Sequence, residues 1–473
     1  MDDLRTILQR VGRFLTPGVI TGLACWWTLT ASVAQAARPA PDAQAGQAAY
    51  QQYCARCHGE LGRGDGVDAK RFYPRPRDLT MGVYKFRSTA SGTPPTDDDL
   101  FQTITKGLPG SNMPDWQHLD ETVRWNLVAY LKSLSPIFEH TPPSPVTVPK
   151  DPGPSHADTA KGKALYEKLG CAACHGMAGR ANGTSAAGLV DDWGMAIRPA
   201  NLTQGWAYRG GRDARSVMLR VLTGIDGAGM PSYAEALSPE EAWQLAYYVT
   251  SLQELPRWNL VAHAAEAEGA LPNSMDDPRW AEAERTDIQL RNTVGAEGAW
   301  TAPPTITSVS LRAVYNDAAV AFLVAWDDPT QDQGAPGTVP DRLALLLKLP
   351  GSQGDVVTLQ AWPYTGAAAL EACDWAADRN ATVEHFITNF DPIVVKSSDR
   401  VVTLPSQSRY ADGRWSLMLE RPLQPERPSR AAVIRLEEFG SVAVTVWDGG
   451  NPRARAVSSW VDLSLGKEAS RAP

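Results

Sequence analysis

The sequence predicts a multidomain chain in which two small all-α domains of one kind precede an all-β sandwich. Three observations carry that fold class: an internal repeat across the first half, one cysteine motif present in each copy, and a change of texture near residue 262. A chain of 473 residues is long enough for two to four domains.

The first 36 residues read as a signal peptide. Arg5, Arg10 and Arg13 precede an apolar run from Phe14 to Ala31, and Ala34-Gln35-Ala36 fits an A-x-A cleavage site. The mature chain is then expected to begin near Ala37, with Cys25 discarded. Left uncleaved, the run with its Trp26 and Trp27 is long enough for a membrane anchor. Export predicts a periplasmic location, where cysteines are either paired or committed to a cofactor. Formal charge is −8, and losing a leader of charge +1 leaves −9. That acidic balance argues against nucleic-acid binding.

The repeat follows. "AGQAAYQQYCARCHG" matches "AKGKALYEKLGCAACHG", "RPRDLT" matches "RPANLT", and "LPGSNMPDW" matches "IDGAGMPSY", at a period of about 117 residues. Each copy closes with apolar residues at helical spacing, "ETVRWNLVAYLKSL" and "EEAWQLAYYVTSL". The copies span residues 37–136 and 158–256, and between them residues 137–157 are rich in proline and read as a stiff linker. From residue 262 to 473, short segments rich in Val, Leu and Trp, such as "VSLRAVYNDAAVAFLVAWDD" and "GSVAVTVWDGG", alternate with Gly, Pro, Asn and Asp, which predicts a β-sandwich.

The chemistry lies in two C-x-x-C-H motifs: Cys54, Cys57 and His58, then Cys171, Cys174 and His175. Thiols one helical turn apart can make two thioether bonds, and the adjoining histidine can ligate the ring iron, so the motif reads as covalent haem attachment. Structural zinc needs four ligands close together, and these pairs lie over a hundred residues apart. A thioredoxin-like motif needs a β-α-β setting, which neither copy has.

The sixth iron ligand should recur in register. Met113 lies 55 residues after His58, and Met230 lies 55 residues after His175. A methionine before a terminal helix is ordinarily core filler, but equal spacing across differing loops selects these two over Met81, Met177, Met195 and Met218. His/Met coordination raises the reduction potential and leaves no open site. A backbone carbonyl should hold each imidazole in one tautomer, with Pro76 and Pro199 as candidates, although a rigid turn explains those prolines equally. Arg77 and Arg198 are candidate partners of haem propionates, or simply solvated.

Through "CARCH…NMPDW" and "CAACH…GMPSY", residues 40 to 255 resemble class I c-type cytochrome domains. Through "DRLALLLKLP" and "VAVTVWDGGNPRARAVSSW", residues 262 to 465 resemble the haem-binding domain of the ethylbenzene dehydrogenase γ-subunit type. That second resemblance implies a β-sandwich holding haem b between a methionine and a lysine, in an electron-transfer subunit of a periplasmic molybdenum enzyme. The chain departs from it: "GSQGDVVTLQ" supplies no methionine where one is due, and Arg455 stands at the lysine position. Arginine offers iron no lone pair. Met275, Met418, Lys396, His263 and His385 are possible substitutes more simply read as packing or surface, so no third haem is expected; Cys373 reads as a lone thiol.

The resulting expectation is a periplasmic electron carrier with two covalent c-type haems and no catalytic residues. Its sandwich would dock it to redox partners, such as a molybdenum oxidoreductase or a membrane quinol-oxidising complex, or to its own copies. The alternatives are a three-haem subunit of a molybdenum complex and a dihaem peroxidase.

Overall fold

The computed structural model describes residues 40–294, 305–336, 338–347, 370–390, 395–397, 402–424, 439–451 and 454–466. The expected signal peptide lies outside the described residues. Among the described residues, no helix is long and apolar enough to cross a membrane.

The first copy opens on α1 (Ala43–Tyr53), whose free N–H groups at Gln44 and Ala45 donate to the Asp42 carboxylate at 2.8 and 3.2 Å. One turn, α2 (Ala55–His58), carries the attachment motif. After a long loop come α3 (Asp97–Lys106), started by a Thr96/Asp99 capping box, and α4 (Glu121–Ser133). Helices α1 and α4 cross at Gly46, where a Cβ would lie 2.0 Å from the Asn126 carbonyl oxygen. The Asn126 side chain accepts from the Asp42 N–H at 2.8 Å, which ties the start of α1 to the same crossing.

The second copy repeats this construction. A short α5 (Ile137–His140) leads into α6 (Thr159–Lys168), α7 (Cys171–His175), α8 (Ala214–Thr223) and α9 (Pro239–Ser251). At the crossing of α6 and α9, a Cβ on Gly162 would lie 2.3 Å from the Gln244 carbonyl oxygen, and the Gln244 side chain accepts from the Asp158 N–H at 2.6 Å. The proline-rich segment between the copies hydrogen-bonds to the first domain (Val146 N–H to Ser88 O, 2.8 Å). It packs Val146 and Val148 on the core of the second.

The two helical units are pressed together. Arg87 of the first is 1% exposed and pairs with Asp226 of the second at 2.7 Å. Asp226 also accepts from Ser91 Oγ at 2.7 Å and from the Gly92 N–H at 2.9 Å.

The remainder is β-structure. Its strands are β1 (Val261–Glu266), β2 (Thr286–Val294), β3 (Ser308–Tyr315), β4 (Ala319–Asp327), β5 (Arg342–Leu347), β6 (Leu370–Ala376), β7 (Ala381–Phe390), β8 (Val395–Ser397), β9 (Val402–Leu404), β10 (Ser406–Ala411), β11 (Arg414–Pro422), β12 (Phe439–Trp447), β13 (Ala454–Ser458) and β14 (Val461–Leu465). Hydrogen bonding runs in the order β10-β11-β4-β3-β1-β14-β12-β5-β6-β7-β8, antiparallel except at β1, which is parallel to both β3 and β14. Alternation explains the core. Val320, Phe322, Val324 and Trp326 of β4 share one cluster with Leu343, Leu345 and Leu347 of β5 and Val442, Val444 and Val446 of β12. Trp375 seals the same cluster, its ring 4.8 Å from Trp415 and 5.8 Å from Trp326. Helical domains followed by an antiparallel all-β domain agree with the predicted fold class.

An ionic joint couples the strands to the second helical domain. The Asp327 carboxylate, at the end of β4, accepts from Arg180 (3.1 Å), Asn201 (2.9 Å) and Arg414 (3.2 Å). Glu254 pairs with Arg180, Arg285 and Arg414.

Candidate haem sites

In each copy the motif forms a single helical turn. Cys57 and His58 N–H groups donate to the Cys54 carbonyl at 3.1 and 2.9 Å. The turn stops at Gly59 (φ +82°) and Gly176 (φ +80°), where an added Cβ would fall about 2 Å from the side-chain oxygens of Asp65 and Asn182. Tyr50 and Tyr166 are buried, and each hydroxyl donates to the carbonyl of that glycine at 2.7 Å. The motif cysteines are unpaired and half-buried. Burial pushes the Cys54 thiol up to about 12 and the Cys171 thiol up to about 11.

Each histidine is held by a carbonyl. His58 Nδ1 lies 3.1 Å from the Arg77 oxygen, and His175 Nδ1 lies 2.9 Å from the Ala200 oxygen. Nδ1–H donates in that arrangement, so Nε2 keeps its lone pair for a metal. Burial also lowers both imidazole pKa values and keeps the rings neutral. The acceptors sit one residue beyond the expected Pro76 and Pro199. Each proline shapes the turn, and the following carbonyl meets the ring.

The methionine loops are built alike. Leu108 N–H donates to Met113 O at 3.0 Å, and Ile225 N–H donates to Met230 O at 2.9 Å. Each loop is then clamped to the helix before it, by Trp116 N–H to Ile104 O (3.1 Å) and Tyr233 N–H to Val221 O (3.0 Å). Gly107 (φ +62°) and Gly224 (φ +66°) allow this, since a Cβ at either would lie 2.6 to 2.7 Å from backbone of the methionine loop. Met113 and Met230 are half-buried, whereas Met81 and Met177 are each 56% exposed and Met218 is buried among α8 and α9 side chains.

Where the two cytochrome repeats meet runs a seam rich in cations, of which the sequence marks only Arg77. Arg77 stacks 3.9 Å over the Trp193 ring of the second domain. Burial brings Arg77 down to about 10 and Lys85 down to about 8, and lowers Arg209 as well. Trp193 Nε1 and Arg209 Nε are buried there without a hydrogen-bond partner, as are Trp116 Nε1 and Tyr84 Oη beside the core of the first domain. Desolvated cations and orphaned donors of this kind fit a large apolar group that carries carboxylates. Arg77 belongs to this seam. Arg198 is half-buried and makes itself felt at Asp448 of the β-domain.

In the β-domain, Met418 is buried and Met275 packs beside it, as ordinary core residues. His263 lies on β1 opposite Ser464. Cys373 is fully buried, and burial pushes its thiol up. The side chains of His385, Lys396 and Arg455, and the segment 351–360, lie outside the described residues.

Known proteins bear out the helical half. Residues 41–131 match the family "Cytochrome C oxidase, cbb3-type, subunit III", and residues 159–253 match the family "Cytochrome c". The N-terminal half is therefore a pair of cytochrome c domains, and covalent haem c and electron transfer follow from that class. A chain of the Kuenenia stuttgartiensis reducing HAO-like protein complex Kustc0457/Kustc0458 is 44% identical over 46% of this chain and 99% of its own, with TM-score 0.43. A carbohydrate binding module family 9 from Caldicellulosiruptor kristjanssonii, solved with glucose, is 9% identical over 45% of this chain and 98% of its own, with TM-score 0.26. A putative carbohydrate-binding protein from Bacteroides uniformis is 10% identical over 45% and 93%, with TM-score 0.26. Among curated proteins none matches the chain. The matched families end at residue 253, so the ethylbenzene dehydrogenase-type resemblance of the β-domain gains no support from them.

Proposed function

We propose that the chain is a periplasmic dihaem electron carrier that passes single electrons between redox partner proteins. One haem is attached through Cys54 and Cys57 and ligated by His58 and Met113. The other is attached through Cys171 and Cys174 and ligated by His175 and Met230. Haem iron supplies the chemistry by gaining and losing one electron. The protein would supply a histidine nitrogen and a methionine sulfur to each iron, exclude water and set the potential.

The observation that carries this reading is the paired construction of the two copies: methionine loops clamped by the same hydrogen bonds, and histidines whose Nδ1 is already engaged by a carbonyl. Arg77, Lys85 and Arg209 would meet the haem carboxylates. Such partners relieve the cost of burying three cations near one another. The β-domain, bound to the second cytochrome domain through Asp327 to Arg180 and through Arg285 and Arg414 to Glu254, serves as a docking and assembly module.

A pyridine haemochrome assay on protein matured in an export-competent host tests this. Two covalent haems per chain and low-spin spectra are expected. One haem, none, or high-spin iron at both centres overturns the reading. A third haem released by acidified acetone would instead make the β-domain a haem b site.

A further inference from the structure

We infer that the β-domain binds one calcium ion at Asp328, Asp341 and Asp448, where three strand ends meet beside the joint with the second cytochrome domain. Asp328 follows β4, Asp341 precedes β5 and Asp448 follows β12. Carboxylate oxygens of the three lie within 4.8 Å of one another, and the residues are 0%, 0% and 6% exposed. Oxygens about 2.4 Å from a shared calcium stand roughly 3.4 Å apart when adjacent and about 4.8 Å apart when opposite, so this spacing suits that ion.

The hydrogen bonds leave the cluster short of positive charge. Asp341 accepts from the N–H groups of Asp332 (2.8 Å) and Gly449 (2.9 Å) and from Trp415 Nε1 (2.9 Å). Asp448 accepts from the Gly450 N–H (2.8 Å) and the Thr305 hydroxyl. Asp328 Oδ1 accepts from the Thr330 N–H (3.1 Å) and, weakly, from its hydroxyl (3.4 Å). Asp328 Oδ2 is fully buried with no partner at all. Among the described residues, none of the three forms an ion pair. Arg198 acts on Asp448 from the cytochrome side, while Asp332 adds further negative charge. A buried carboxylate oxygen with no donor is costly, and a cation is the group that removes that cost.

The glycines after Asp448 bring the backbone close against the cluster's oxygens. A Cβ on Gly450 would project among oxygens, 3.0 Å from Asp448 Oδ1, 3.2 Å from Thr330 Oγ1 and 3.4 Å from Asp332 Oδ2. Gly449 packs so close to Asp332 that a Cβ would lie 2.4 Å from its Cβ. The cluster offers oxygen only, with neither histidine nor cysteine in it, which selects a hard cation over zinc or copper. Magnesium holds its waters and demands a tighter octahedron, so calcium is favoured in a nearly dry cage. Asp327, next to Asp328, is the residue that binds Arg180 and Asn201 of the second cytochrome domain. The ion would therefore set the end of β4 that forms this joint.

The rival state is protonation. Burial and mutual repulsion push Asp328 and Asp448 up and bring Asp341 up to about 7. The two states separate in a direct experiment on the full chain. Metal analysis of protein purified in calcium and passed through gel filtration should find one calcium per chain. Stripping with EGTA should lower the thermal midpoint, and returning calcium should restore it, with magnesium weaker by about tenfold or more. Asp328→Asn should abolish calcium binding and leave the visible absorption spectrum unchanged. If that variant does not fold, calorimetric titration of the stripped wild-type protein decides. No heat and no thermal shift up to about 10 mM calcium, above the weakest sites of this kind, would overturn the inference in favour of protonated carboxyls.

Discussion

Arg87 of the first cytochrome domain, almost wholly buried, reaches across the domain boundary to the Asp226 carboxylate at 2.7 Å. The same guanidinium donates to the Thr223 carbonyl at 3.1 Å, and Asp226 is further held by Ser91 and Gly92. This pair ties the two repeats together across their boundary. Removing one member of a buried pair strands the other without compensation. Asp226→Ala is expected to destabilise the chain by about 3 kcal/mol in denaturant unfolding and to make residues 137–157 more sensitive to proteolysis. An unchanged midpoint would show that the boundary is held by other contacts.

Replacing the proposed axial sulfurs separates ligand from filler. Met113→Ala and Met230→Ala should each convert one haem of two to a high-spin form that takes up carbon monoxide, and should lower that haem's reduction potential. Met218→Ala, in the core beside α9, should leave both spectra intact and cost about 2 to 5 kcal/mol of stability. Spectra that respond to Met218 and not to Met230 would displace the assignment.

The glycines at the helix crossings tolerate no side chain. A Cβ at Gly46 or Gly162 would sit 2.0 or 2.3 Å from a carbonyl oxygen of the facing helix, and backbone cannot step aside as a side chain can. Gly46→Ala and Gly162→Ala are each expected to cost about 1 to 3 kcal/mol, although alanine is the better helix former. Equal or raised thermal midpoints would contradict this crossing geometry.

The repeat, the attachment turns and the spacing of Met113 and Met230 are legible in the sequence because each rests on residues close together or on two copies in register. Helix crossings at Gly46 and Gly162 are half legible, since the glycines recur but nothing local says which backbone they face. The carbonyl that holds His58 belongs to Arg77 and not to Pro76, because a proline's own carbonyl follows the turn it sets. The seam escapes sequence reading. Arg87 and Asp226 lie 139 positions apart, and Lys85 looks like any surface cation until a second domain buries it. Asp328, Asp341 and Asp448 resemble ordinary turn residues, and only the sheet order brings the three strand ends together.

The acidic cluster makes stability depend on pH in a direction opposite to that of a salt-bridged carboxylate. With calcium removed, Asp341 titrates near 7 in the folded chain and near its ordinary value of about 4 when unfolded. Asp328 and Asp448 face it and are raised too by burial, Asp332 adds repulsion, and the hydrogen bonds from Thr330, Thr305, Gly449, Gly450 and Trp415 together with the Arg198 charge oppose the shift without cancelling it. Between those two pH values the folded chain holds more protons than the unfolded chain. Stability therefore falls as pH climbs from about 4 through 7. Calcium would occupy the deprotonated cluster, so its stabilising effect should be small near pH 5 and larger near pH 8. Thermal midpoints measured across that range, with EGTA and with excess calcium, should diverge as pH rises. Curves that stay parallel would remove both the cluster's titration and its cation.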